Sequence, residues 1–316
     1  MQLGQYPTPT HTVAHLSDPH LLTEGLHQYG VIDTEAGLSR ALEHLRRLDP
    51  VPQALVFTGD LADRGDPAAY ARLRELVEPV AADLVGPGGR GAEVVWVMGN
   101  HDERAAYSHG LYDAESTAPQ DRVHDVAGLR VVALDTSVPG YHHGDLTEEQ
   151  LDWLAEVLAT PAEHGTLLAL HHPPIPVPMI EAAAIIELAD QHRLAEVIAG
   201  TDVRGILGGH LHFTTFSTFA GVPVSVASAS CYTLDPAPVG RFISGIDGNQ
   251  AFTMVHVYAD RLVQSVVPLA DAPEVTGYAA DAAEQLAALT HEERRELLSR
   301  KDSPFNATWE DHTSPA

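Results

Sequence analysis

Hydrophobic positions in this chain gather into short continuous runs. The clearest are Val13-Ala14-His15-Leu16-Ser17, Ala54-Leu55-Val56-Phe57-Thr58, Val94-Val95-Trp96-Val97-Met98, Leu167-Leu168-Ala169-Leu170 and Val203 to Leu207. Runs of this length with a β-branched bias predict buried strands. The same reading predicts strands at Leu129 to Asp135, Phe213 to Thr218, Val222 to Ser228, Phe252 to Tyr258 and Leu262 to Val267. Between the first five runs the period lengthens to that of helices. Asp33-Thr34-Glu35 opens a helix through Leu38, Leu42 and Leu45 that Asp49-Pro50 stops. Pro67 to Val85 is a second, with proline at a tolerated first-turn position. A third begins at Thr147, with Gln150 completing a capping box, and a fourth is predicted over Glu181 to Ala199.

Strands and helices interleave to about residue 210, and strands dominate afterwards. That order predicts one α/β domain with a mixed sheet rather than a pure doubly wound fold. The domain is expected over residues 1–270. Residues 271–316 are expected to add a helix over Ala279 to Arg300 and a polar, disordered tail from Lys301. Gly86-Pro87-Gly88-Gly89-Arg90-Gly91 precedes a strand rather than a helix, which argues for a flexible insertion and against a phosphate cradle.

Each of the five leading runs ends in residues that can ligate a metal. The endings are Asp18-Pro19-His20, Gly59-Asp60-Leu61-Ala62-Asp63, Gly99-Asn100-His101-Asp102, His171-His172 and Gly209-His210-Leu211-His212. Open α/β sheets place their chemistry at the carboxyl ends of strands. Imidazole nitrogen with carboxylate or amide oxygen, and no thiolate, suits manganese, iron or zinc. Proline between Asp18 and His20 brings two ligands out of one turn. His210 and His212, one residue apart in extended chain, point the same way and can reach different metals. Asp60 could bridge two cations with its two oxygens, and Asn100 adds an oxygen without charge, leaving the pair positive enough to attract a phosphate.

Composition narrows the partners. The chain has 316 residues, 44% of them hydrophobic, and its 44 acidic against 18 basic side chains give 18 − 44 = −26 with histidines neutral. Such a field repels polyanions and anionic membranes, so polymeric nucleic acid is excluded as a partner. No apolar stretch approaches the ~20 residues that span a bilayer. Met1 to His11 is polar, without a basic region followed by an apolar one, so no secretory signal is expected. The single cysteine, Cys231, excludes an internal disulfide framework, fits a cytoplasmic protein and reads as a small buried hydrophobe. In that compartment the Asn306-Ala307-Thr308 sequon has no consequence.

Taken in order, Asp18-x-His20, Gly59-Asp60-x-x-Asp63, Gly99-Asn100-His101-Asp102, His171 and Gly209-His210-x-His212 resemble the five motifs of the calcineurin-like metallophosphoesterases. Val56 to Asp63, Trp96 to Asp102, Asp135 to Gly140, Leu168 to Pro176 and Pro223 to Tyr232 resemble the class III cyclic nucleotide phosphodiesterases, over roughly residues 11 to 270. The resemblance implies a four-layer αββα sandwich of two mixed β-sheets flanked by helices. It implies one metal held by Asp18, His20, Asp60 and His212 and another by Asp60, Asn100, His171 and His210. Manganese and iron are the metals expected, with zinc admitted, and a hydroxide shared by both is the implied nucleophile. A homodimer is also implied. His101 carries no metal in that pattern. It is expected to contact the phosphate and protonate the departing sugar oxygen, with Asp63 orienting its ring. Asp102 is expected to support its loop, and His172 to stand behind the ligands. Asp63 could instead be a turn-capping carboxylate in Asp63-Arg64-Gly65. Asn100 and His142 are further expected substrate contacts, although His142 and His143 also read as ordinary residues of an exposed loop.

The function expected is hydrolysis of 3′,5′-cyclic nucleotides, cAMP first and cGMP as a further candidate, to 5′-nucleotides. A broader phosphodiesterase acting on 2′,3′-cyclic nucleotides or glycerophosphodiesters is the second enzymatic reading. A catalytically dead binding scaffold is the third, and the filled ligand positions argue against it.

Overall fold

The computed structural model describes residues 5–303 except 24, 87, 276 and 278–280. Residues Pro9–Ala270 form one compact unit. It opens with β1 (His11–Leu16), α1 (Thr34–Leu45), β2 (Ala54–Thr58), α2 (Pro67–Asp83), β3 (Glu93–Val97) and α3 (Arg104–Tyr112). The chain continues through β4 (Arg122–Val126), β5 (Leu129–Leu134), α4 (Glu148–Leu158), β6 (Thr166–Leu170), α5 (Gln191–Ile198) and β7 (Val203–Gly208). It ends in the β-rich part, β8 (Thr215–Phe219), β9 (Val222–Val226), the two-residue pair β10 (Thr233–Leu234) and β11 (Gly245–Ile246), β12 (Ala251–Val257) and β13 (Leu262–Pro268).

Two sheets result, ordered β13-β12-β1-β2-β3 and β4-β5-β6-β7-β9-β8. The inner strands β1-β2-β3 and β5-β6-β7-β9 run parallel, and the antiparallel partners lie toward the edges. Why the core strands read as unbroken apolar runs is clear from their alternation. In β2, Leu55 and Phe57 pack with α1 and α2, whereas Ala54 and Val56 face the second sheet. In β6, Leu168 and Leu170 pack with α4 and α5, whereas Leu167 and Ala169 face the first sheet. Both faces of each strand are therefore covered. Three apolar interlayers, helix to sheet, sheet to sheet and sheet to helix, define a four-layer αββα sandwich, as the family resemblance implied.

Four elements depart from the sequence expectation. The helix predicted over Glu181 to Ala199 is a 3-10 turn, Glu181–Ile185, followed by α5. The intervening backbone is taken by another loop: Gly144 N donates to Glu187 O at 3.1 Å and Ala189 N donates to Gly144 O at 2.8 Å. Asp190 then turns left-handed, with φ of 42°. α3 and β4 were not anticipated; β4 alternates in exposure as an edge strand does. Beyond Ala270, the single predicted helix is two, α6 (Asp281–Ala287) and α7 (His291–Ser299), because Thr290 and Glu293 form a new capping box. Residues 304–316, with the Asn306 sequon, lie outside the described residues, as do the first four. Among the described residues, no helix is long and apolar enough to cross a membrane.

Candidate metal centre

The candidate ligands leave the carboxyl ends of β1, β2, β3, β6 and β7, where the two sheets meet. Five of them, Asp18, His20, Asp60, His210 and His212, have left-handed φ of 49°, 44°, 49°, 70° and 54°. Such backbone costs a non-glycine residue about 1–3 kcal/mol and persists where the surroundings enforce it, typically at functional sites. The two sheets approach too closely here for ordinary side chains between them. Gly59 has φ of 91°, and a Cβ there would collide with the His171 ring.

The result is a buried cluster centred on Asp60. Its Oδ2 lies 3.4 Å from His20 Nε2 and 3.3 Å from His171 Nε2. On one side, His20 Nε2 and His212 Nε2 approach to 3.2 Å, and His212 Nε2 is 3.5 Å from Asp18 Oδ1. On the other, His171 Nε2 lies 3.0 Å from Asn100 Oδ1 and 3.2 Å from His210 Nδ1. All seven expected ligands are thus brought together in two half-sites that share Asp60. The two Asp60 oxygens are not equivalent. Oδ1 accepts from the His101 backbone N–H at 2.8 Å, so a single oxygen, Oδ2, faces both half-sites.

Each histidine in the cluster has one nitrogen tied to an oxygen. His20 Nδ1 pairs with Asp63 Oδ1 at 3.0 Å, His171 Nδ1 with Thr58 O at 2.8 Å, His210 Nε2 with Ile186 O at 2.9 Å, and His212 Nδ1 with Tyr232 O at 2.9 Å. An oxygen acceptor fixes the proton on that nitrogen, so the opposite lone pair points to the centre. This is the outer arrangement that orients imidazole ligands of metals. Two imidazole nitrogens 3.2 Å apart, each turned inward as an acceptor, require a proton or a cation between them. Asp18 Oδ1 is buried without a hydrogen-bond partner, while Oδ2 accepts from His210 N. Donor type, orphaned oxygen and tautomers all fit divalent first-row metals, and the Asp and His groups could hold two.

The electrostatics agree. Burial alone would raise the Asp60 carboxyl, but His171 and His20 beside it hold it well below the usual range. Burial lowers His171, and Asp60 overcomes that to lift it to about 9. His20 is likewise raised, against burial, by the Asp60 and Asp63 carboxylates. The nearby Cys231 thiol is pushed up to about 12 by burial, so it carries no charge at neutral pH and adds nothing to that effect. Burial takes His210 to about 3 and His212 to about 4, which keeps both rings neutral and ready to donate a lone pair.

Around the cluster stand the expected catalytic groups. His101 Nδ1 bonds to the Asp63 backbone O at 2.9 Å, and its ring, one-third exposed, lies 4.7 Å from that of His20. Its Nδ1 is 4.0 Å from the Asp63 carboxylate, too far for a hydrogen bond. Asp63 is expected to orient the His101 ring, and its contact with that ring is made by the backbone rather than the side chain. The carbonyl does that, while the carboxylate holds His20 and Gln28, the latter through Nε2 at 2.8 Å. His142 Nδ1 accepts from Asn100 Nδ2 at 2.8 Å, which turns the amide oxygen toward His171. His172 bonds Thr136 Oγ1 at 2.8 Å and the His142 carbonyl at 3.1 Å, behind the ligands rather than among them. Asp102 accepts from the backbone N–H of Leu61, Ala62 and Gly99 and from Tyr70, so it ties two ligand loops together. Gln28, Ile186 and Tyr232 had no assigned role from the sequence. Their contacts run through loops that no spacing pattern marks, although Tyr232 closes one of the matching stretches.

Residues 11–213 match the family model described as calcineurin-like phosphoesterase. The chain belongs to this family. It is 53% identical over 270 residues to a cAMP/cGMP dual specificity phosphodiesterase of Mycobacterium tuberculosis, covering 85% of this chain and 83% of that protein. It is 30% identical to a 3′,5′-cyclic adenosine monophosphate phosphodiesterase of Escherichia coli, over 80% of this chain and 91% of the relative. A dimetal phosphatase from Danio rerio shares the fold, with a TM-score of 0.58 at 16% identity over 83% of this chain and 98% of that one.

Proposed function

We propose that this protein is a metal-dependent phosphodiesterase that hydrolyses 3′,5′-cyclic nucleotides to 5′-nucleotides. The observation that carries this reading is the Asp60-centred cluster, in which two half-sites share one carboxylate oxygen beside the unattached Nε2 face of His101. The names of the cyclic nucleotide phosphodiesterases to which the chain is similar support the substrate class. Asp18, His20, Asp60 and His212 would hold one metal, and Asp60, Asn100, His171 and His210 the other. Bound there, two cations supply Lewis acidity to the phosphoryl oxygens and acidify water.

The remaining residues position and move protons. His101 Nδ1 must carry a proton, because a carbonyl oxygen can only accept, so Nε2 is the site that exchanges. A protonated Nε2 delivers that proton to the departing 3′ oxygen, which would otherwise leave as a strongly basic alkoxide. Asp63 acts as a positioning residue, through its carbonyl on His101 and its carboxylate on His20. His142 positions Asn100 and stands open to the substrate. Arg104, near this loop, is engaged by Asp135 at 2.9 Å and by the Ser137 carbonyl, so it is not free to clamp a dianionic monoester. Arg64, 74% exposed and 3.8 Å from the Asp63 carboxylate, stands alone and does not make a paired clamp, so a preference for diesters over monoesters is expected.

Manganese or iron is the metal pair proposed, since the donor set lacks thiolate, with zinc admitted. A cytoplasmic homodimer completes the reading, supported by the single cysteine and by the family resemblance; sedimentation at micromolar concentration tests the dimer. Parallel turnover of 3′,5′-cAMP, 2′,3′-cAMP and a glycerophosphodiester tests the substrate class. The 3′,5′ ring is expected to be opened fastest, and preference for the glycerophosphodiester would move the chain to the broader reading.

A further inference from the structure

The proposed chemistry accounts for the phosphate of a cyclic nucleotide and leaves its base without a place. A cavity of about 670 Å³ between α2 and α3 contains no candidate ligand. A second, of about 390 Å³, lies next to the Asp60-centred cluster, which it meets through Tyr232 in its wall.

Tyr232 stands at the boundary. Its carbonyl fixes His212, and its ring lies 4.5 Å from that of His212 and 6.5 Å from that of His20, centroid to centroid. Its other side lines the cavity together with Tyr29, Val31, Ile32, Ile243 and Ile246. Tyr29 meets Tyr232 edge-on at 5.3 Å and 82°, with the hydroxyls 3.1 Å apart.

Both walls are anchored to the cluster. Gln28, which bonds Asp63, also pairs with Ile32 in an antiparallel bridge, so the loop bearing Tyr29 and Val31 is tied to the carboxylate that orients His20. On the opposite wall, Leu234 N donates to His212 O at 3.3 Å, and β10 pairs with β11. The volume is that of a small-ligand site, and the lining is apolar apart from two phenols and Asp247. Tyr29 is 74% exposed, Val31 73% and Ile243 45%, which is costly apolar exposure unless something covers it.

We propose that this cavity is the nucleobase subsite, with the cyclic phosphate on the Asp60-centred cluster and a purine lying against Tyr29, Tyr232 and Ile243. The inference rests on the cyclic nucleotide reading and deepens it. Recognition is through the face of the base rather than its hydrogen-bonding edge, and every base has such a face, so adenine and guanine are both accepted. An apolar subsite also supplies affinity that a chain of net charge −26 withholds from an anion.

The test compares AMP with ribose 5-phosphate as inhibitors of turnover of an aryl phosphodiester by the metal-loaded enzyme. The two inhibitors carry the same phosphate and differ by the base. In the wild type AMP is expected to inhibit about tenfold more tightly or better, the range of one base stacked on aromatic side chains. Tyr29→Ala and Ile243→Ala remove exposed side chains and should erase most of that advantage while leaving ribose 5-phosphate inhibition in place. Tyr29→Phe keeps the ring and should retain the advantage. Equal inhibition by the two compounds in the wild type, or equal weakening of both in Tyr29→Ala, overturns the subsite. If AMP keeps its Tyr29-dependent advantage while 3′,5′-cAMP is not turned over, the subsite stands and the cyclic substrate reading falls.

Discussion

Replacing His101 by alanine separates proton delivery from everything else the cluster does. The ring is one-third exposed, and its one hydrogen bond is to the Asp63 carbonyl at 2.9 Å. A single such bond contributes about 0.5–1.5 kcal/mol to stability, so the variant should fold. The backbone N–H of residue 101, which holds Asp60 Oδ1 at 2.8 Å, survives the substitution, so Asp60 keeps its orientation. What is lost is the exchangeable Nε2. Positioned general acids contribute ~10²–10⁴-fold, or roughly 3–5 kcal/mol at 1.36 kcal/mol per decade. That loss should appear in the turnover of 3′,5′-cAMP, whose leaving alkoxide needs a proton. It should be much smaller on bis-p-nitrophenyl phosphate, because p-nitrophenolate leaves without one. The assay is turnover of both substrates by the same metal-loaded preparation, with metal content measured alongside. Equal losses on the two substrates at unchanged metal content would refute the assignment of His101 as the acid.

Asp60→Ala should reduce activity further than Asn100→Ala, because Oδ2 of Asp60 faces both half-sites and Asn100 only one. We expect a drop of ~10²-fold or more for Asn100→Ala with little change in melting temperature, and a milder effect of Asp60→Ala would contradict the shared-oxygen geometry. Chelator-stripped protein should lose thermal stability as pH rises from about 6.5 to 9. The His171 pKa is raised from 6.5 to about 9 in the folded protein, so its protonated ring stabilises the fold fully below 6.5, and that contribution is lost as pH climbs through 9. The raised His20 acts in the same direction. A melting temperature that stays flat or rises across that window would show that Asp60 does not retain a proton on its neighbours.

Much of this was legible because the chemistry follows strands buried on both faces. Continuous apolar runs such as Val94 to Met98 mark where a core strand stops, and the first polar residues after each stop are the ligands. Contacts between loops were not legible. Asp63 lies close in the chain to neither of the two rings it serves, and only the fold shows its carboxylate on His20 and its carbonyl on His101. The stretch Glu181–Ile185 forms a 3-10 turn although its three alanines favour a longer helix locally. Just beyond it, the competing bonds of Gly144 with Glu187 and Ala189, more than 40 residues away in the chain, interrupt the helix. Tyr29 and Gln28 belong to a loop without periodicity, so their role beside the cluster had no signal at all.

The central claim, that Asp60 joins two metal sites whose joint occupancy is needed for phosphodiester hydrolysis, is tested most directly by titrating stripped protein with manganese while following 3′,5′-cAMP turnover. The account predicts no turnover without metal and activity that saturates at about two equivalents per chain. Turnover that survives complete metal removal, or full activity at one equivalent, would contradict it.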